Sequence, residues 1–214
     1  MPNWCDNQVS ITGPNSVIDK IEKIVKEDDS HKNTGLLNFF KPMPKQLEGT
    51  TSPSSASDKP QPMVEGFDNW YDWRVENWST KWEVCEFYGV DRQYLIEQNE
   101  GESVITFGFS SAWAPPIGAY EQFLVDHEDC SLKAYYYEGG CDFMGEWDNG
   151  SDDCYAPSDY KSTDDFWQDG VGSTLDDTFN ITESMAEYEA ELEAEKEDVH
   201  EYTKGKAMNI GEEA

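Results

Sequence analysis

The sequence predicts an α+β domain in which an antiparallel sheet carries two helices on one face, followed by an acidic C-terminal extension. Three observations carry this. Apolar alternation and helical apolar spacing succeed each other as strand, helix, strand and again strand, helix, strand, the order of a split βαβ sandwich. Aromatic residues make up 14% of the 214 residues, with eight Trp, so a packed interior is required. The charge changes character near residue 140: residues 1–140 hold 23 acids and 11 bases, whereas residues 141–214 hold 22 acids and 4 bases.

Each element can be derived from its residues. From Trp4 to Gly13, Val9 and Ile11 share one face while Ser10 and Thr12 take the other, the pattern of a strand. Gly13-Pro14 ends it, and Asn15 or Ser16 caps the next element. Val17, Ile18, Ile21, Ile24 and Val25 recur at helical spacing, so residues 16–28 form an amphipathic helix. Leu36 to Phe40 reads as a second strand, stopped by Pro42 and Pro44. Residues 48–62 (EGTTSPSSASDKPQP) lack apolar periodicity and read as a flexible insertion within the domain.

Trp70, Trp73, Asn77 and Trp78 fall at three- and four-residue steps, predicting a short helix ending near Trp78. Val84–Tyr88, Tyr94–Glu97 and Val104–Phe109 read as strands, with a turn at Glu100-Gly101-Glu102. Pro115-Pro116 opens a helix with Ile117, Tyr120, Phe123 and Leu124 on one face. Leu132–Tyr137 is a further strand, and Cys141–Trp147 adds an edge strand. Residues 1–147 thus form the domain and 148–214 the extension. Within that extension, Ser184 to Tyr202 is rich in Ala, Glu and Leu, a good helix by propensity.

The formal net charge of −30 repels nucleic-acid phosphates and anionic membranes and attracts basic protein surfaces. Direct nucleic-acid binding and membrane association are therefore disfavoured. Five cysteines without a C-x-x-C pair, no signal-peptide pattern and no membrane-length apolar run point to reduced thiols in a cytoplasm.

Catalytic and metal chemistry find little support. His31, His127 and His200 stand far apart, and no Cys or His spacing matches a zinc site. The run from Asp148 to Asp153 has carboxylates suited to calcium but lacks the spacing of a calcium loop. No nucleophile elbow or phosphate-cradling Gly loop occurs. No cofactor is implied, and the chain is expected not to be an enzyme.

Three segments carry a resemblance: MPNWCDNQVSITG at the start, ENWSTKWEV at 76–84, and FSSAWAPPIGAYEQF at 109–123. Together they resemble the YubB-type ferredoxin-like domain of phages and plasmids, over roughly residues 1–147. That family opens its first strand with Met-Pro-Asn-Trp, has a central Asn-Trp-Gly-Thr-Lys-Trp, and starts its second helix from Ala-Trp-Ser-Pro-Pro. Ser79 and Ala114 replace the family's Gly and Ser, so neither position supports a catalytic serine. The resemblance implies a ferredoxin-like βαββαβ topology, with no iron–sulfur cluster, and an accessory, host-antagonising setting.

Two groups of residues are candidate sites. Glu183, Glu187, Glu191, Glu195 and Asp198 recur at four- and three-residue steps, one stripe of a helix that can imitate a row of DNA phosphates. The corresponding expectation is a phage or mobile-element protein that binds and inhibits a basic host protein, a nucleic-acid-binding or defence enzyme, by DNA mimicry. A solubilising tail is the plainer account of the same acids. Trp78, Lys81, Trp82 and Trp113 form the second group. They are either core aromatics, with Trp78 and Trp113 as anchors and Lys81 reaching out to water, or the lining of a pocket for a nucleotide-like molecule. A viral assembly factor is a third reading.

Overall fold

The computed structural model describes residues 3–27, 35–96, 101–160, 162–168, 170–186 and 190. It divides into two compact units, Met1–Ala156 and Pro157–Ala214.

The first unit is built on a six-stranded, wholly antiparallel sheet. Its strands are β1 (Trp4–Pro14), β2 (Cys85–Tyr94), β3 (Glu102–Ala112), β4 (Ser131–Glu138), β5 (Phe143–Asp148) and β6 (Ser151–Tyr155), in the order β2-β3-β1-β4-β5-β6. The central register sets Val9 opposite Phe107 and Ala134, and Ile11 opposite Ile105 and Leu132. Because side chains alternate along a strand, this stacks one apolar face: Cys5, Val9 and Ile11 with Ile105, Phe107 and Phe109 and with Leu132, Ala134 and Tyr136, all buried. The other face carries Gln8, Ser10 and Thr12 beside Thr106, Ser110, Tyr135 and Tyr137, all half-buried.

Helices cover the apolar face. In α1 (Asn15–Glu27), Val17, Ile18, Ile21 and Val25 are buried at helical spacing. In α4 (Ile117–Asp126), Ala119, Tyr120 and Phe123 join the same core. Arg92 of β2 ties the sheet to α1, with Nη1 at 2.7 Å from Asp19 and 2.6 Å from Glu22. Between α1 and β2 stand α2 (Leu36–Phe40) and α3 (Trp70–Trp78). Asn69 caps α3, its Oδ1 accepting the Asp72 amide at 2.9 Å.

Several expectations are corrected. Leu36–Phe40 is a helix, not a strand, because a residue far along the chain captures its first amides. Both carboxylate oxygens of Glu83 accept there, from Leu37 N at 2.7 Å and from Asn38 N at 3.0 Å. Burial raises the pKa of that carboxyl, and these amide bonds act in the opposite direction. The expected strands at 84–88 and 94–97 are one strand, β2, whose pairing with β3 shifts register between Cys85 and Tyr88 and between Tyr88 and Asp91. Residues 48–62 contain a single 3-10 turn at Ser54–Ala56.

The sheet also outgrows the four strands of a βαββαβ unit. Phe143–Asp148 is not an edge, because the Asn149-Gly150 turn, with both residues at positive φ, sends the chain back as β6. The sheet unit accordingly runs to Ala156 and takes in residues placed in the extension from 148 onward.

The second unit contains α5 (Thr163–Gln168) and α6 (Gly170–Phe179), with residues 181–186 also helical. Among its described residues Pro157, Phe166, Leu175 and Ile181 are buried, and Tyr160 meets Phe166 edge-on at 5.0 Å. Asp176, itself buried, accepts from Thr182 N at 2.6 Å and Thr182 Oγ1 at 3.0 Å, which caps the 181–186 turn. Residues 163–179 carry no clear helical periodicity, with five Asp, three Thr and two Gly among them. No helix among the described residues is long and apolar enough to cross a membrane.

Candidate functional site

The aromatic candidates separate in space. Trp78, the last residue of α3, is 0% exposed, and its Nε1 donates to the Lys41 carbonyl at 2.8 Å. It stands edge-on to Trp73 at 5.8 Å, and the Arg74 guanidinium lies 4.7 Å from its ring centroid and 5.3 Å from that of Trp70. Trp78 is a core side chain and lines nothing a ligand could reach.

Lys81, Trp82 and Trp113 come together at the surface. Trp82 is 37% and Trp113 45% exposed. The ammonium of Lys81 lies 4.1 Å from the Trp82 ring centroid and 5.7 Å from that of Trp113. Trp4, at the start of β1, completes the group: it is 48% exposed, with its ring centroid 6.0 Å from Trp82. Trp4 is not among the residues singled out by sequence. The β1 alternation could have found it, since Cys5, Val9 and Ile11 occupy the core face and Trp4 is out of phase with them.

Local backbone chemistry holds this surface. Trp113 has φ 75°, the left-handed region that a bulky side chain rarely adopts. Four hydrogen bonds surround the turn. Trp113 N donates to Asn3 O at 3.0 Å, and Ser111 Oγ donates across the turn to Ala114 O at 2.8 Å. Thr80 Oγ1 donates to Ala112 O at 2.8 Å, tying the segment that bears Lys81 and Trp82 to the end of β3. Behind them, Asn7 Nδ2 donates to Ser111 Oγ at 2.9 Å. The surrounding hydrogen bonds hold Trp113 in this sparsely populated backbone region.

The thiols differ by place. Burial, reinforced by Asp6, pushes the Cys5 thiol far up, whereas Cys141 is exposed and receives the Asn3 Nδ2 at 3.5 Å. Burial also pushes Cys130 up to about 12, with Asp129 adding to it. Among the described residues no group of three or more His, Cys, Asp or Glu could hold a metal ion. The Asp148–Asp153 carboxylates have near partners instead: Lys133 lies 3.8 Å from Asp148, and Tyr136 Oη donates to Asp152 at 2.7 Å.

Of the acidic stripe, Glu183 is described: it is exposed and accepts from Asn180 Nδ2. Glu187, Glu191, Glu195 and Asp198 lie outside the described residues. The described part of the second unit carries Asp159, Asp164, Asp165, Asp176, Asp177 and Glu183.

No family model matches the chain, and no curated protein matches it. Among solved structures, the crystal structure of a protein api92 from Yersinia pseudotuberculosis, given the family model DUF1281, is similar over 75% of this chain and 96% of its own. The identity is 11% and the TM-score 0.37, a likeness too weak to carry an argument.

Proposed function

We propose that this chain is a mobile-element accessory protein, not an enzyme, that binds and inhibits a basic host protein through its acidic surface. The observation that carries the reading is the charge of the second unit: Pro157–Ala214 holds 17 acids against four bases. Within the sheet unit, by contrast, ion pairs such as Arg92 with Asp19 and Glu22, and Lys133 with Glu146, hold acids against bases. Self-repulsion in an unbalanced acidic segment is relieved by a cationic partner, and the same field steers such a partner inward. A row of carboxylates offered to a DNA-binding enzyme competes for the surface that would hold phosphates.

The four strands β2-β3-β1-β4, with α1 and α4 as crossovers, support a ferredoxin-like frame to which β5 and β6 have been added. The segments at 1–13, 76–84 and 109–123 support a kinship of that frame with the YubB-type domains of phages and plasmids.

The test starts from affinity capture in host cells and proceeds to calorimetry with the recovered protein at low and moderate salt. Changing Glu187, Glu191 and Glu195 together to Gln keeps helix propensity while removing three charges. Affinity should fall by roughly three- to a hundred-fold in that variant and should fall with salt in the wild type. Duplex DNA should compete. Salt-independent binding that the triple change leaves intact rules the acidic reading out.

A further inference from the structure

We propose that Trp4, Trp82 and Trp113 form a cation-binding cage in which Lys81 is a built-in placeholder, displaced when an arginine or lysine side chain of the partner enters. The proposal rests on the reading of a basic partner and gives that partner an anchor point on the sheet unit.

Three observations converge on this surface. The indole face is the best side-chain acceptor for a cation, since its quadrupole puts negative charge above the ring. Three such rings are exposed together here, at 48%, 37% and 45%, on a chain of net charge −30. The site already holds a cation: the Lys81 ammonium sits 4.1 Å and 5.7 Å from two of the ring centroids, within the range of a cation–π contact. Among the described residues Lys81 has no carboxylate in salt-bridge range, so what holds it can be exchanged for an equivalent contact. Finally, the left-handed Trp113 is fixed by the Asn3, Ser111 and Thr80 hydrogen bonds, so the cage wall is preorganised before a ligand arrives.

Charge selects among ligands for these rings. A nucleotide would stack on an indole with its phosphate at Lys81, but it would enter against the field of the whole chain. A cationic side chain enters with that field. Guanidinium suits the site best, because it is planar, weakly hydrated and able to stack on an aromatic face. Swapping Lys81 for a partner arginine conserves charge within the cage and frees Lys81 to water.

The two ligand classes give opposite signs for one substitution. A capped peptide of alternating Arg and Gly, labelled for anisotropy, is titrated into the full-length chain at low salt. Trp82→Ala and Trp113→Ala should each weaken it by roughly five- to thirty-fold. Lys81→Met should tighten it several-fold by removing the resident cation. Lys20→Met, which removes an exposed charge on the polar face of α1, should move affinity far less. Far-ultraviolet dichroism checks that each variant is folded, and the two Trp variants back each other. The cage is overturned if the peptide does not bind, if both Trp variants bind like wild type, or if Lys81→Met weakens binding. It is overturned equally if AMP binds and Lys81→Met abolishes that binding. The Glu187, Glu191 and Glu195 triple variant separates the two readings. Loss there with intact Trp variants removes the cage and keeps the acidic surface, and the converse keeps the cage alone.

Discussion

Trp78 and Trp113 occupy the ends of neighbouring segments, yet one is interior and the other surface. At the end of α3 the left-handed residue is Ser79, at φ 65°, whose amide returns to Val75 O at 3.1 Å as a helix cap. A small side chain takes the unusual backbone there, and Trp78 before it is free to fill the core. At the end of β3 the left-handed residue is Trp113 itself. The Thr80 to Ala112 hydrogen bond joins the two ends, so both conformations belong to one structure. Each end also pairs a cation with two indoles: Arg74 with Trp70 and Trp78 inside, Lys81 with Trp82 and Trp113 outside. The same contact therefore serves packing where the indole is buried and presentation where it is not. Burial, not residue type, decides which.

The largest expected effect comes from that difference. Trp78→Ala removes a fully buried indole and leaves the Lys41 carbonyl without its donor, so it should destabilise the fold by about 3–5 kcal/mol. Trp113→Ala removes a ring that is nearly half in water and should cost about 1 kcal/mol or less. Denaturant unfolding of the two variants checks this. Equal losses would mean that Trp113 packs as deeply as Trp78, and the comparison would collapse.

A smaller effect isolates the backbone. At ordinary φ, Gly is less stable than Ala by roughly 0.5–1 kcal/mol, because the unfolded chain gains freedom. At φ 75° the order should invert, since an L-residue costs roughly 1–2 kcal/mol in the left-handed region. Trp113→Gly should therefore exceed Trp113→Ala in stability by about 0.5–1 kcal/mol in the same unfolding experiment. The opposite order would place Trp113 in a relaxed turn.

How much of this is legible in the sequence depends on where the cause lies along the chain. The β1, α1, β3, α4 and β4 elements announce themselves, because their buried residues recur within the segment: Val9 and Ile11, or Ile18, Ile21 and Val25. Leu36–Phe40 reads as a strand and folds as a helix because the group that stabilises its helical start, Glu83, is 46 residues away from Leu37. Strand β6, SDDCY, has no apolar alternation, and its pairing with β5 supplies what its own residues do not. In the site, the motif segments group Lys81, Trp82 and Trp113 but do not sort Trp78 from them. That sorting needs the depth of α3 in the core, a tertiary quantity. Trp4 escapes the motif grouping although its phase in β1 is readable.

The smallest expected effect uses thiols to mark the two sides of the Trp113 turn. Cys5 is buried behind it, near Ser111, while Cys141 lies outside, against Asn3, whose carbonyl holds Trp113 N. Alkylation requires both access and thiolate. Cys141 has access, but its hydrogen bond with Glu138 raises its pKa above the ordinary thiol value of 9.0, because the carboxylate disfavours a second negative charge. Its rate should thus rise with pH along a curve displaced to the alkaline side of a free thiol. Cys130, pushed up to about 12, should lag behind Cys141 at pH 8, and Cys5, raised further by burial, should come last. Peptide mapping after timed iodoacetamide pulses reads all three. Glu138→Gln removes the charge that burdens Cys141 and should speed its alkylation by roughly two- to five-fold, moving its pH profile toward neutrality. Glu138 also adds to the upward shift of Cys5, but burial is its main cause, so Cys5 should remain the slowest of the three in the same variant. If Cys5 instead reacts as fast as Cys141, the turn opens in solution, and the distinction between a buried and a presented side fails there.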